Sequence, residues 1–248
     1  MLNNLSSIKF LGFTMHSCSM DETVSFIKAR LKEKVFTQHV VVNVAKLVSM
    51  QTDVQLKNSV SNCDIVNIDG MGVVLGARFL GQRVPERVAG VDLFYQLVAM
   101  SESENFPIFL LGAEEVVVTE VNRRLNSDHS NLNVAGYHHG YFWDDEEAVV
   151  NKIKESGARL LFVAITSPKK ENFINKWQDK LGVDFVMGVG GTFDVVAGKV
   201  RRAPLWMQKY GLEWLFRVIQ EPRRMWRRYL VSNSQFAWLL IKEKFKMH

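Results

Sequence analysis

Asp64-Ile65-Val66-Asn67-Ile68-Asp69-Gly70-Met71-Gly72-Val73-Val74-Leu75-Gly76-Ala77-Arg78-Phe79 is the stretch on which the reading of this chain turns. Ile65 to Ile68 is a short apolar run with the length and β-branched content of a buried strand. Asp69-Gly70 interrupts it, and Val73 to Phe79 continues as a helix-like stretch. A carboxylate placed where a buried strand gives way to a helix has two readings. It caps the helix, or it faces a ligand.

The same alternation runs outward in both directions. Expected strands are 39–44, 64–68, 107–111, 133–137, 160–165 and 184–188. Expected helices are 20–34, 45–57, 91–101, 114–126, 144–156, 168–181 and 202–210. Strands that are apolar throughout and separated by helices form a parallel sheet covered on both faces. The fold class expected is α/β. Ligands of such sheets sit beyond the C-terminal strand ends, so the loops after the strands are where chemistry is sought.

Leu111-Gly112-Ala113-Glu114 is a glycine entering a helix, which is either a tight turn or a phosphate seat. Gly188-Val189-Gly190-Gly191-Thr192-Phe193-Asp194 has three glycines in four positions and admits a ligand close to the backbone. Neither loop is a dinucleotide fingerprint or a Walker loop. In Thr166-Ser167-Pro168-Lys169-Lys170-Glu171, Ser167 reads as a helix N-cap with Pro168 in the first turn. Two lysines in that first turn oppose the helix dipole, and either a bound anion or solvent compensates them. His138-His139 lacks a third ligand at metal spacing, so no metal site is expected.

The 248 residues carry a net charge of +5, unevenly distributed. From Arg201 onward there are 11 Lys/Arg against 3 Asp/Glu, whereas the first 200 residues hold 20 against 23. The same C-terminal segment holds nine of the 27 aromatic residues. A basic, aromatic segment on a near-neutral body points to an anionic partner at one end. On a helix, Arg223, Arg224, Arg227 and Arg228 share one face, and Met225, Trp226, Tyr229 and Leu230 the other. That pattern suits a membrane surface. Packing on the body is the bland alternative, and nucleic acid is disfavoured because the rest of the chain is slightly acidic. Cys18 and Cys63 form neither a disulfide pattern nor a metal spacing, and MLNNLSSIKF lacks the charged start and long apolar core of a leader, so a cytoplasmic protein is expected.

Together, VVNVAKL, NIDGMGVV, ERVAGVDL, IFLLGA, GYFWDD, SPKKE, MGVGGTFDVVAGKVRRAP and GLEWLFRVIQEPRRMWRRY resemble the WecG/TagA/CpsF glycosyltransferases, glycosyltransferase family 26, in order from about His39 to Tyr229. The resemblance implies the GT-E fold: a Rossmann-like α/β core, residues 1–200, with a basic, aromatic helical appendage, residues 201–248. It implies an inverting transferase that moves a sugar from a UDP donor to an undecaprenyl-diphosphate-linked saccharide. The setting would be the cytoplasmic membrane face, in bacterial surface polysaccharide synthesis (exopolysaccharide, capsule, common antigen or teichoic acid). A non-catalytic UDP-sugar-binding protein of the same fold is the alternative, and self-association is left open.

By the same resemblance, Asp69 is the general base, Arg87 binds donor phosphates or leaving-group charge, and Asn43 holds the sugar. Gly112, Gly190, Gly191 and Asp194 shape the UDP pocket. Arg217, Arg224 and Arg227 meet the lipid diphosphate. Lys170 and Glu171 fall in a substrate-binding motif. Lys170 stands where the family usually has glutamine, and Val41 where it often has a small polar residue. An added charge at Lys170 would favour an acidic donor such as a uronic acid, beside N-acetylmannosamine-type sugars or glucose. No Asp-x-Asp metal pair occurs in the site, so metal-independent transfer with no cofactor is expected.

Overall fold

The computed structural model describes residues 5–246, without the side chain of Arg224. In chain order the elements are β1 (Ser7–Phe10), β2 (Phe13–His16), α1 (Met20–Lys32), β3 (Thr37–Val42), α2 (Val44–Ser49), α3 (Val54–Ser61), β4 (Ile65–Ile68), α4 (Met71–Phe79), α5 (Gly90–Glu104), β5 (Ile108–Gly112), α6 (Glu115–Asp128) and β6 (Val134–His138). There follow α7 (Glu146–Glu155), β7 (Leu160–Ala164), α8 (Lys169–Trp177), β8 (Phe185–Gly188), α9 (Thr192–Val196), α10 (Leu205–Lys209), α11 (Glu213–Gln220) and α12 (Pro222–Lys246).

The eight strands form one sheet in the order β1-β2-β4-β3-β8-β7-β5-β6. Only β1–β2 is antiparallel; each other neighbouring pair is parallel. The strands β3, β4, β5, β7 and β8 are buried almost throughout because helices cover both faces. One core face gathers Phe94, Phe162, Phe185 and Phe193, and another gathers Met15, Val42, Leu47 and Ile68. From β3 the chain moves one way across the sheet to β4, while β5 to β8 occupy the other side. The order therefore switches between β3 and β8, and sheets of this kind take ligands at the C-terminal strand ends beside such a switch. This is the expected Rossmann-like α/β architecture.

The structure corrects several boundaries. The β1–β2 hairpin was not expected, since four-residue strands offer too little periodicity to read. The expected helix 45–57 is two helices, because the Asp53 side chain accepts from the Leu56 N–H at 2.9 Å and restarts the chain. The helix expected at 168–181 ends at Trp177. Ser167 is not its cap: Pro168 occupies that position with no side-chain cap, and the Lys170 N–H donates to the Thr166 carbonyl at 3.3 Å instead. The helix expected at 202–210 begins only at Leu205, after Pro204.

Candidate active site

Asp69 leaves the end of β4 with its N–H donating to the Val42 carbonyl of β3 at 2.9 Å. Gly70 follows at φ +107°, a conformation that L side chains rarely adopt, and α4 begins there without a side-chain cap. The Asp69 carboxylate is therefore not the cap of the helix that follows it. It turns instead toward the start of α5 and accepts from the Gly90 N–H. The segment before α5 is held alongside, since the Val88 N–H donates to the Ile68 carbonyl at 2.8 Å. Arg87 is thereby placed beside Asp69.

Burial raises the proton affinity of Asp69 above the ordinary carboxylate value. Arg87, then Arg217 more weakly, oppose this, while Glu213 reinforces it. Glu213, the first residue of α11, is ion-paired with Arg87 Nη1. Its other oxygen lies 3.7 Å from Arg202 Nε, and Arg202 makes a two-pronged bond to Asp92 at 2.5 and 2.7 Å. The row Asp69, Arg87, Glu213, Arg202, Asp92 thus joins the C-terminal end of β4 to the helices that follow residue 200. The turn before α11 is seated on α4 as well: a Cβ on Gly211 would fall 2.5 Å from the Met71 Cβ.

On the adjoining strand, Asn43 at the end of β3 stands beside Gly70 and caps α2, its Oδ1 accepting from the Lys46 N–H at 3.0 Å. Among the described residues its Nδ2 has no hydrogen-bond partner. Below it is a buried charge cluster. Glu171 Oε1 accepts from Lys46 Nζ at 2.7 Å and from Lys170 Nζ at 2.8 Å, and Lys46 also donates to the Val41 carbonyl at 2.8 Å. Burial, then the neighbouring Lys46, lowers Lys170 to about 8. The two ammonium groups hold Glu171 down at about 2, despite burial. Lys170 lies flat across Gly188 at the end of β8, where a Cβ would meet its Cε at 2.7 Å. Arg228 of α12 adds its field to Lys170 from above.

The expected pocket glycines separate into two kinds. A Cβ on Gly190 or Gly191 would meet no atom within 4 Å, so these two border open space, with Asp194 half-buried in the first turn of α9. Gly112 is different: a Cβ there would lie 2.5 Å from the Ala164 carbonyl oxygen. Its smallness serves the close approach of β5 and β7 rather than a ligand. Lys170 is not the free charge that was expected to meet an acidic donor, since it is buried and engaged by Glu171, which it shares with Lys46. Arg217 and Arg227 are exposed on α11 and α12, and the expected role of the Arg224 side chain lies outside the described residues. Glu213, Arg202 and Lys46 were not singled out from sequence, and Arg228 only as part of the basic face of a helix. Lys46 was detectable as the residue three after Asn43, on the first turn of the same helix. Among the described residues no group of three His, Cys, Asp or Glu could hold a metal, and no helix is long and apolar enough to cross a membrane.

A half-buried carboxylate beside the Arg87 guanidinium, at the C-terminal end of a parallel strand, is an arrangement that suits group transfer in an α/β fold. Residues 8–248 match the glycosyl transferase WecG/TagA/CpsF family, and the chain belongs to it. It is similar to the N-acetylglucosaminyldiphosphoundecaprenol N-acetyl-beta-D-mannosaminyltransferase of Bacillus subtilis (strain 168), 35% identical over 74% of this chain and 71% of that protein. The enzyme of the same name from Bacillus spizizenii (strain W23) is 36% identical over 74% of this chain and 70% of its own. The protein is a glycosyltransferase.

Proposed function

We propose that the protein is an inverting transferase that moves N-acetylmannosamine from a UDP donor to N-acetylglucosamine linked to undecaprenyl diphosphate, for a bacterial surface polysaccharide. The observation that carries this reading is Asp69, a half-buried carboxylate of raised proton affinity between Arg87 and Arg217. The names of the two Bacillus relatives supply the sugar and the acceptor. The engagement of Lys170 by Glu171 weakens the ground for preferring an acidic donor.

In this reading Asp69 takes the proton of the acceptor hydroxyl as that oxygen attacks the anomeric carbon, and the UDP oxygen leaves on the opposite side. One displacement inverts the anomeric centre. Arg87 takes up the charge that develops on the leaving diphosphate. Asn43 presents its amide to the sugar, and the open edge at Gly190, Gly191 and Asp194 receives the nucleoside. With arginine supplying the positive charge, transfer needs no divalent ion, and EDTA should leave it unchanged. Residues 201–248 act as the unit that meets the lipid, through Arg217, Arg224, Arg227 and the exposed aromatic side chains, on the cytoplasmic membrane face.

The test is transfer to a short-chain prenyl-diphosphate N-acetylglucosamine from a panel of UDP-sugars. Product from UDP-N-acetylmannosamine above all others supports the assignment. A dominant product from UDP-glucose or a UDP-uronic acid overturns the donor while leaving the transferase in place.

A further inference from the structure

The proposed role of Arg87 meets a competitor on the chain itself. Its Nη1 is already engaged by Glu213, whose side chain keeps about a quarter of its surface exposed. A diphosphate approaching Arg87 must share or displace that carboxylate. Glu213 has a second seat within reach. Its Oε1 stands 3.7 Å from Arg202 Nε, a buried atom with no hydrogen-bond partner, while the two outer nitrogens of Arg202 are taken by Asp92. A small rotation would bring Glu213 onto that unused donor and satisfy it.

Resting on the UDP-donor reading, we propose that Glu213 and the donor diphosphate compete for the Arg87 guanidinium, and that Glu213 passes to Arg202 when the donor binds. Glu213 is then a positioning residue for the transfer. Because it is the first residue of α11, the exchange reaches the helix that carries Arg217 toward Asp69. Donor binding and the placement of α11 become one equilibrium, and each biases the other by the same factor.

Calorimetric titration with UDP distinguishes this from a merely structural ion pair. Glu213→Gln keeps the size and removes the charge, and it should bind UDP about five-fold more tightly than the wild type, the scale of losing one half-exposed competing ion pair. In an Arg87→Ala background the same substitution should leave UDP affinity unchanged. Arg202→Gln removes the second seat and should weaken UDP binding severalfold, the opposite sign. Wild type that binds UDP while Glu213→Gln binds it equally or more weakly overturns the competition and leaves the donor reading intact. A gain from Glu213→Gln that persists without Arg87 also overturns it. Absence of UDP binding in both wild type and Glu213→Gln overturns this proposal and the donor reading together. A thermal melt of each variant confirms that a folded protein was titrated.

Discussion

At the scale of the residue, two carboxylates obey opposite rules. Asp69 is held above its ordinary value of 3.8 chiefly by burial. Between 3.8 and that raised value the folded protein binds more protons than the unfolded chain, so stability falls as pH rises through this window. Asparagine carries no charge there and can still accept from the Gly90 N–H. Asp69→Asn should therefore melt at or above the wild-type temperature at neutral pH, with the gap closing on acidification; a variant melting well below wild type at pH 7 contradicts this. Glu171 is the reverse case, a carboxylate that holds two buried ammonium groups. Glu171→Gln strands both lysines and should cost about 3 kcal/mol or more. Lys170→Gln leaves the Lys46–Glu171 pair intact and should cost much less. Chemical denaturation of the two variants side by side ranks them, and equal losses would refute the cluster as described.

At the scale of the element, α12 is both a surface helix and part of the core. Phe236 is buried against Gly76 of α4, where a Cβ would fall 2.7 Å from its ring, and lies 6.2 Å from the Phe10 ring. Phe236→Ala should cost about 3 kcal/mol, seen as a lower denaturation midpoint; a loss below about 1 kcal/mol would mean that α12 is not docked in this way. The strands β5 and β7 were readable in the sequence because burial on both faces gives unbroken apolar runs, and β3 through Val40 to Val42 only, since it begins with the buried polar residues Thr37, Gln38 and His39. The β1–β2 hairpin was not, nor was the break between α2 and α3, where the Asp53 cap outweighed a continuous helical pattern. Asp69 and Asn43 were legible as polar residues ending apolar runs. Glu213 was not, because its meaning depends on Arg87, 126 residues earlier in the chain, and on Arg202. Lys170 was legible as a charge but not as a paired one: sequence does not show that Glu171 accepts from both it and Lys46.

At the scale of the whole molecule, the positive charge and the exposed aromatic residues gather on the last three helices. Trp206 is 58% exposed, Tyr210 73%, Trp226 52% and Trp238 65%. With a net +8 from Arg201 onward against −3 before it, this end should draw the protein to an anionic bilayer. Co-sedimentation with vesicles rich in anionic lipid should exceed that with neutral vesicles and fall with added salt; binding indifferent to lipid charge would contradict the assignment. The same end brings Arg217 within the field of Asp69 and Arg228 within that of Lys170, so the surface that would meet the lipid also neighbours the candidate site.

The central claim is that Asp69 is the base of a transfer reaction built at the end of β4. The most direct measurement is single-turnover transfer by wild type and Asp69→Asn with the productive UDP-sugar, alongside UDP affinity on the same samples. The variant should lose roughly 10²–10⁴-fold in rate while UDP binding stays close to wild type. Transfer by Asp69→Asn within a few-fold of wild type would contradict it.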